Sequence, residues 1–393
     1  MKNKIPFILC IIFGIIIFFG CTAQEKQENN SSAIFIDENA APVNNNLSSY
    51  VNNGSAAENK AEENPGGEEI IVRAEKIEAI IPVGIENNCI GFLSGALDEM
   101  ENIRLIGGGW ARPHPGPFVW DYIEKIEGAY DFSYPDEYVM AAQEKNISIL
   151  ATVWPFAEWD QKSDSSCKVS DNDIFNYRGK DEFDGLPKYR CKPKDMQAYK
   201  NFLEALTERY DGDGINDMPG LVIPVKYYEI LNEPEMKSDE LTFFVGDEND
   251  YFEILKGSYE TIKETCPDCK VLHAGCAGSQ EEFLFFWKKV FGLGGGSYFD
   301  IANIHYIGSG DLNTLNVKSF KNILIENNLE KPIWVTEVEF DNENSDVVEM
   351  SRGAFNAGAA KLFYVSFEVG GHGPSEIGKY SSKYVQATAL CKK

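Results

Sequence analysis

The sequence has few basic residues for its length. Its 393 residues include 36 lysines and arginines against 62 aspartates and glutamates, which gives a formal net charge of −26. Nucleic acids and anionic membrane surfaces carry charge of the same sign and would repel such a chain. The composition therefore argues against both as partners, while a hydrophobic content of 43% allows a large core to form.

No comfortable transmembrane helix is predicted at the N-terminus, although residues 5–19 are apolar. The run is shorter than a span of about 20 residues, and two lysines precede it, as in a signal peptide. It ends in Gly20-Cys21, which resembles the lipobox of bacterial lipoproteins. We predict a signal peptide over residues 1–20 and a lipid on Cys21. An ordinary signal peptide cut near Ala23 and an uncleaved anchor are the alternatives, and all three place the protein outside the cytoplasm.

Aromatic residues are scarce between residues 22 and 75, where Asn, Ser, Glu, Ala and Gly predominate. A segment of this composition buries too little apolar surface to offset the entropy that ordering would cost. We predict a disordered tether over residues 21–75, followed by one folded domain over residues 76–393.

The cysteines lack the two closely spaced pairs that most structural zinc sites require. Cys167 and Cys191 could staple one long loop, and the run Cys266-Pro-Asp-Cys269 could close a tight turn. Export would permit disulfides, but spacing alone does not determine connectivity. Zinc binding by Cys266 and Cys269 is the less favoured alternative.

Strand-like and helix-like segments alternate along the rest of the chain. We predict strands at residues 80–84, 103–112, 147–154, 226–233, 271–274, 301–306, 332–337 and 361–368. We predict intervening helices at residues 91–102, 136–144, 196–210, 251–264, 283–291, 317–326, 347–357 and 384–390. Eight strands, each followed by a helix, predict an α/β protein with a (β/α)8 TIM barrel.

Two glutamates occupy equivalent positions in this pattern. Glu233 ends the predicted fourth strand, just before Pro234, and Glu337 ends the predicted seventh, so both are expected at the carboxyl ends of the strands. Active sites of such barrels form at that end. Two facing carboxyl groups are the minimum apparatus for glycoside hydrolysis, provided that their surroundings separate the two pKa values.

The motifs around these glutamates resemble those of the clan A glycoside hydrolases. They are Leu-Asn-Glu-Pro at residues 231–234 and Trp-Val-Thr-Glu at residues 334–337. Residues 110–113, Trp-Ala-Arg-Pro, are similar to the arginine motif of strand two, and residues 304–306, Ile-His-Tyr, are similar to the pair on strand six. Residues 118–132 with 154–157 are most similar to the β-xylosidase-like and β-galactosidase-like branches.

The resemblance implies a role for each matching residue. Glu233 would be the general acid/base and Glu337 the nucleophile of a retaining hydrolase that cleaves β-linked oligosaccharides or polysaccharides. Asn232 would bind the sugar 2-hydroxyl, while Arg112 and Tyr306 would keep the nucleophile ionised. The chemistry needs no metal or other cofactor, and we expect a monomer.

Several neighbouring residues have competing interpretations. Glu229 alternates with Glu233 and should lie deeper in the barrel, where Arg104 is a candidate partner. Glu339 alternates with Glu337 and is the alternative nucleophile or a sugar contact. His305 is either a ligand of the site or a packed core residue.

Four aromatic side chains are candidates for stacking on a sugar. They are Trp110, Trp154, Trp159 and Phe367. We favour only Trp154 for that role, because buried aromatic residues are common in any large core.

Asp211, Asp213 and Asp217 have calcium-like spacing in the loop before strand four. The loop lacks the glutamate that completes an EF-hand and lies at the end of the barrel opposite the predicted site. A tight polar turn is expected there, and a structural calcium ion is the alternative.

Two further functions compete with hydrolysis. One is a surface lipoprotein that binds carbohydrate on a barrel without catalysis, and the other is a transglycosylase. The presence of both glutamates argues against the first, and only product analysis with added acceptor sugars distinguishes the second.

Overall fold

The computed structural model describes residues 87–93, 96–177, 185–340, 345–366 and 381–392. The predicted signal peptide, Cys21, the tether, Phe367 and the strand predicted at residues 80–84 lie outside the described residues. Among the helices within these ranges, none is both long and apolar enough to cross a bilayer.

Eight parallel strands form the centre of the molecule. They are β1 (Ile90–Leu93), β2 (Trp110–Arg112), β3 (Ser148–Val153), β4 (Tyr227–Ile230), β5 (Lys270–His273), β6 (Ala302–Ile307), β7 (Ile333–Glu339) and β8 (Ala359–Tyr364). The strand order is β5-β4-β3-β2-β1-β8-β7-β6. Parallel bridges from Leu272 to Ile301 and from Cys276 to Ile304 connect the two ends of this sheet. The predicted (β/α)8 barrel is confirmed.

Helices connect the strands on the outside of the barrel. They are α1 (Glu99–Ile106), α2 (Trp120–Ile123), α3 (Ser133–Glu144), α4 (Glu158–Gln161), α5 (Met196–Tyr210), α6 (Glu248–Thr265), α7 (Glu281–Gly292), α8 (Val317–Glu326), α9 (Val347–Ala357) and α10 (Ser381–Thr388). Helix α6 begins with a capping box, in which Asp247 and Asp250 each accept from the other's backbone N–H. Helix α5 has the predicted bounds, and its apolar positions are buried against the barrel.

The first strand and helix differ from the sequence prediction. Ile90–Leu93 forms β1, although the predicted first helix begins at residue 91. A four-residue apolar run has no readable period, so sequence cannot separate a short strand from a helix there. Residues 103–106 of the predicted second strand belong to α1, which ends at Gly107 in the left-handed conformation (φ 90°).

A small cluster of aromatic and aliphatic side chains fills part of the barrel interior. It consists of Trp110, Leu150, Leu272, Ile301, Trp334 and Phe363, with Leu93 and Tyr227 packed against it. The Trp334 ring stacks between Tyr227 and Phe363, at centroid distances of 5.2 and 5.9 Å. The Lys361 ammonium lies 4.3 Å from the Trp110 ring centroid, a cation–π contact. Trp110 is therefore a packing residue of the barrel interior.

Three disulfides cross-link the described residues. Cys167 pairs with Cys191 and Cys266 pairs with Cys269, as the spacing suggested. The second pairing leaves no thiolates at that turn for zinc. The third disulfide joins Cys89, directly before β1, to Cys391 after α10. Cys276 is a buried free thiol.

We expect the Cys89–Cys391 disulfide to stabilise the barrel more than the Cys167–Cys191 disulfide. The two span 302 and 24 residues, and the entropy of loop closure grows with the span. Replacing Cys89 and Cys391 by Ser should lower the free energy of unfolding by about 2 kcal/mol more than the same change at Cys167 and Cys191. Urea unfolding measures both variants. A larger loss for the shorter loop would contradict this prediction.

Candidate active site

The backbone leaves β4 through an unusual conformation that positions Glu233. Leu231 (φ 71°) and Glu233 (φ 38°) both have positive φ, which side chains other than glycine rarely adopt. The Leu231 N–H donates to Val153 O at 2.9 Å, and the Glu233 N–H donates to Gly275 O at 3.2 Å. These bonds to the neighbouring strand ends hold the strained turn in place.

Glu337 faces Glu233 from β7. The pairing of β6 with β7 shifts register between Ile304 and His305, so that His305 lies beside Glu337. His305 Nδ1 lies 2.7 Å from Glu233 Oε1 and 3.8 Å from Glu337 Oε1. One carboxylate oxygen of each glutamate and one His305 nitrogen all lie within 4.8 Å of one another. The structure thus brings together two glutamates that are 104 residues apart.

Arg112 lies beneath both glutamates and makes three polar contacts. Its Nε donates to Glu229 Oε2 at 2.6 Å, Nη1 donates to Glu337 Oε1 at 2.8 Å, and Nη2 donates to Asn232 Oδ1 at 2.7 Å. The guanidinium is completely buried. A buried cation is tolerated only when its donors are satisfied, and the planar fork of arginine suits several acceptors at once.

The partner predicted for Glu229 was wrong. Arg104 lies on the exposed surface of α1 and pairs with Glu101 of the same helix. It points outward because residues 103–106 are helical, and the inward arginine of this region is Arg112 on β2. Glu229 is buried support, as predicted, but Arg112 is its partner.

Glu229 accepts further hydrogen bonds from side chains that sequence reasoning missed. Thr152 Oγ1 donates at 2.8 Å and Asn303 Nδ2 at 2.5 Å, and Thr336 Oγ1 lies 3.1 Å away. Alternation along β6 places Asn303 on the same side of the strand as His305, and this pattern alone could have indicated that Asn303 faces the site. Thr336 directly precedes Glu337, and regular strand alternation would place these two side chains on opposite faces of β7. Sequence therefore gave no indication that Thr336 also faces inward.

The two facing glutamates have different electrostatic surroundings. Burial raises the pKa of Glu233 to about 8, and its distance from Arg112 leaves that effect only partly opposed. Burial also raises the pKa of Glu337, but the directly bonded Arg112 guanidinium acts to lower it. Burial lowers the pKa of His305 to about 4. Only Glu337 of the pair has a hydrogen bond to the guanidinium.

Asn232 presents a donor without a protein acceptor. Its Oδ1 is fixed by Arg112, while Nδ2 is buried and has no hydrogen-bond partner among the described residues. His114 Nδ1, which sequence reasoning also missed, is buried and unpartnered in the same sense. A buried polar atom without a partner is costly unless a ligand satisfies it.

The other predicted contact residues are buried around the site. Trp154 packs against His114 and Phe243, at centroid distances of 5.4 and 5.6 Å, and donates to Pro115 O at 2.7 Å. Its side chain is wholly covered, so stacking on a sugar stays a prediction. Tyr306 is buried with its ring 6.4 Å from that of Phe340, and its predicted effect on Glu337 also stays a prediction.

Two more acidic side chains flank the pair. Glu339 is half-buried at the outer end of β7. Glu235 Oε1 accepts from Ala277 N at 2.7 Å and from Trp287 Nε1 at 3.1 Å, and burial raises its pKa to about 8. Neither has a contact to Arg112 like that of Glu337, so Glu337 remains the better candidate for an ionised nucleophile.

The aspartate loop before β4 is a hydrogen-bonded turn. Asp211 Oδ1 accepts from Asp213 N at 3.1 Å, and Asp217 Oδ1 accepts from Gly212 N at 3.0 Å. Carboxylate oxygens of Asp211, Asp213 and Asp217 lie within 4.8 Å of one another, and burial raises the pKa of Asp211 to about 6. The loop has the expected polar turn, and calcium binding there stays a prediction.

We expect Arg112→Met to destabilise the protein strongly, because it leaves Glu229 buried without its charge partner. Loss of one partner of a buried pair costs about 3–5 kcal/mol in the free energy of unfolding. The control is Arg104→Met on exposed α1, where a change within about 0.5 kcal/mol is expected. Urea unfolding compares the two. Similar losses in both variants would contradict the central position of Arg112.

Comparisons with known proteins rest on structure, since no family model and no curated protein matches the sequence. A family 39 glycoside hydrolase from Bacteroides cellulosilyticus WH2 has a TM-score of 0.51 and 17% identity over 78% of this chain and 64% of its own. A monomeric β-xylosidase from Caulobacter crescentus CB15 has a TM-score of 0.54 and 17% identity over 78% of this chain and 68% of its own. A family 30 endoxylanase from Clostridium papyrosolvens C71 has a TM-score of 0.50 and 15% identity over 78% of this chain and 72% of its own.

These similarities concern the fold. The chain spans about two thirds of the length of the first two structures, 64% and 68%. At 17% identity the likeness comes from the arrangement of strands and helices rather than from shared sequence. The chain therefore has the same (β/α)8 barrel fold as these solved glycoside hydrolase structures.

Proposed function

We propose that this protein is a retaining glycoside hydrolase that cleaves β-linked saccharides by double displacement. The observation that carries the proposal is that one carboxylate oxygen of Glu233 lies within 4.8 Å of one of Glu337 at the carboxyl end of the barrel. Retaining enzymes place their two carboxyl groups about 5–5.5 Å apart, whereas inverting enzymes leave about 6.5–9.5 Å for a water molecule. The short separation supports direct attack by one carboxylate.

Glu337 is assigned the role of nucleophile. The Arg112 guanidinium at 2.8 Å favours its ionised form, which attacks the anomeric carbon and forms a glycosyl-enzyme. Glu339 is only half-buried, at the outer end of the same strand. The contact with Arg112 therefore supports Glu337 over its neighbour on β7.

Glu233 is assigned the role of acid and then base. A carboxyl whose pKa is raised to about 8 keeps its proton at neutral pH and donates it to the leaving oxygen. In the second step the same group takes a proton from water as water attacks the glycosyl-enzyme. Both steps balance: the proton lost to the leaving group in the first is regained from water in the second.

Asn232 is assigned to the sugar 2-hydroxyl. Its amide nitrogen is buried and unpartnered beside the two glutamates, while its oxygen is held by Arg112. A hydroxyl of a sugar in the site would accept from that nitrogen and satisfy it. Hydrogen bonds to the 2-hydroxyl strengthen in the transition state.

The proposed substrate is an oligosaccharide or polysaccharide with β linkages. Similar structures are named as a β-xylosidase and as an endoxylanase, which supports this class of substrate. We propose further that the enzyme is exported, is anchored by a lipid on Cys21 and acts as a monomer. An exported enzyme would meet polymeric glycans that do not enter the cell.

We expect Glu337→Gln to lower kcat/KM on aryl β-glycosides by more than about 10³-fold, because the amide cannot form the glycosyl-enzyme. Glu339→Gln is the matched control on the same strand and should keep most of the activity. Hydrolysis of a panel of aryl β-xylosides, β-glucosides and β-galactosides measures both. Equal activity of Glu337→Gln and the unchanged protein would exclude the proposed nucleophile.

Glu233→Gln should slow substrates according to their leaving group. An alkyl or sugar leaving group needs protonation, so the loss should be about 10²–10⁴-fold, whereas an activated dinitrophenyl leaving group should be largely spared in the first step. Single-turnover release of the aryl alcohol measures that step. Equal losses for both classes of substrate would count against Glu233 as the acid.

The same assays distinguish the competing functions. Binding of glycans without turnover by the unchanged protein would favour a carbohydrate-binding lipoprotein. Transfer products formed with added acceptor sugars would favour a transglycosylase. Release of reducing sugar with retained anomeric configuration supports the proposed hydrolase.

A further inference from the structure

A chain of buried hydrogen bonds leads from Glu229, below the site, to Glu233. Asn303 Nδ2 lies 2.5 Å from Glu229 Oε1, and Asn303 Oδ1 lies 2.8 Å from Thr336 Oγ1. Thr336 Oγ1 lies 2.9 Å from His305 Nε2, and His305 Nδ1 lies 2.7 Å from Glu233 Oε1. All five side chains belong to the buried part of the barrel. Which atom donates in each of these hydrogen bonds can be deduced in turn, starting from Glu229.

The direction is fixed at Glu229. Its Oε2 accepts from Arg112 Nε at 2.6 Å and from Thr152 Oγ1 at 2.8 Å, and a carboxylate bound to a guanidinium in this way only accepts hydrogen bonds. The Asn303 atom beside it must therefore be the amide nitrogen, which donates. The Asn303 oxygen then faces Thr336 and acts only as an acceptor.

Thr336 has one hydroxyl hydrogen to donate. Its two neighbours on this side, Asn303 Oδ1 at 2.8 Å and Glu229 Oε1 at 3.1 Å, are both pure acceptors. The hydrogen points to one or the other, and in either case it is not directed at His305. Thr336 Oγ1 can then only accept from the ring, so His305 Nε2 carries a hydrogen.

The remaining nitrogen of His305 faces Glu233. Burial lowers the pKa of His305 to about 4, so the ring is neutral at neutral pH and carries one hydrogen. With that hydrogen on Nε2, Nδ1 is a bare acceptor 2.7 Å from Glu233 Oε1. The bond between them then requires a hydrogen on the Glu233 carboxyl group.

We propose that Thr336, held by Asn303, is a positioning residue that fixes the tautomer of His305 and thereby keeps the proton on Glu233. A hydrogen bond made to the protonated carboxyl stabilises that form over the carboxylate. The opposite tautomer, with the hydrogen on Nδ1, would donate to the carboxylate and favour loss of the proton. The mechanistic consequence rests on the proposed role of Glu233 as the acid, whereas the tautomer itself does not.

The backbone holds the ring so that this choice matters. A Cβ on residue 275 would lie only 1.8 Å from His305 Nε2 and would clash with the ring. Because residue 275 is glycine, the imidazole can occupy this position. The backbone N–H of His305 donates to Cys276 O at 2.8 Å, and the backbone carbonyl of His305 accepts from Asn316 Nδ2 at 2.8 Å. The ring therefore has Thr336 on one side and Glu233 on the other.

A second buried histidine provides an internal reference. His273 Nδ1 lies 2.6 Å from Ala274 O, an acceptor, and its Nε2 accepts from the Asn303 N–H at 3.0 Å. His273 is therefore an Nδ1–H tautomer, the opposite of His305. The two states differ clearly in their ¹⁵N chemical shifts.

The charged and titratable groups around Glu233 come from several strands. Arg112 on β2, Glu229 on β4 and Glu337 on β7 face it together with His305. Glu235 follows in the same turn, and the buried Cys276 thiol lies close after β5. Substitution of Thr336 changes none of these charged and titratable residues. A change in the titration of Glu233 in such a variant would thus report on the His305 tautomer.

The test compares Thr336→Val, which removes the hydroxyl at nearly constant shape, with Thr336→Ser, which retains it. In ¹⁵N NMR of the histidine-labelled protein, whose four histidines are assigned by single substitutions, we expect Nε2–H at His305 in the unchanged protein and in Thr336→Ser. We expect Nδ1–H at His305 in Thr336→Val, with His273 unchanged in all three. Thr336→Ala serves in place of Thr336→Val if the latter does not fold.

The kinetic counterpart is the alkaline limb of kcat/KM on a substrate with an unactivated leaving group. The apparent pKa of this limb should fall by about one to two pH units in Thr336→Val and should keep the value of the unchanged protein in Thr336→Ser. At pH values above the limb, this is a loss of about 10- to 100-fold. A purely structural role of Thr336 would lower activity equally at all pH values.

Two results would overturn the inference. One is an Nδ1–H tautomer of His305 in the unchanged protein, and the other is a Thr336→Val variant whose tautomer and alkaline limb are both unchanged. Absence of glycosidase activity in every form would defeat the proposed function instead, because the NMR measurement needs no substrate.

Discussion

The contact of Arg112 with its three acceptors is the interaction on which the rest of the site depends. Its guanidinium is fully buried, so removal from water is unfavourable unless every neighbouring acceptor is in place. Glu229, Asn232 and Glu337 supply those acceptors from β4, the turn after it and β7. The need to satisfy one cation therefore draws opposite sides of the barrel into a single arrangement, and a displacement of any acceptor would be felt by the other two.

The same cation makes two similar glutamates different. Glu337 receives the guanidinium directly, whereas Glu233 faces the neutral ring of His305. Burial acts on both carboxyl groups in the same direction, so the contact with Arg112 is what separates them. An ionised carboxylate and a protonated carboxyl side by side are what double displacement requires. In this barrel the difference arises because Glu337, and not Glu233, accepts a hydrogen bond from Arg112 on β2.

Sequence was most informative where a motif and a strand coincide. The placement of Glu233 and Glu337 near the carboxyl ends of β4 and β7 follows from apolar runs that stop at chemically distinctive residues, although β4 ends earlier, at Ile230, and β7 later, at Glu339. Sequence was least informative where geometry depends on distant segments. The partner of Glu229 was missed because a short apolar run gives no helix or strand period, and the inward position of Thr336 depends on a register shift between β6 and β7. The Cys89–Cys391 pairing spans 302 residues and has no local signal at all.

That pairing makes the folded region a covalent ring. Cys89 stands directly before the first strand and Cys391 lies beyond the last helix, so the backbone between them is closed by the disulfide. A single cut by a protease in a surface loop would then leave both pieces in one molecule, still joined through sulfur. The strands on either side of such a cut could not diffuse apart, so the ring would turn a nick from an irreversible loss into a tolerated event.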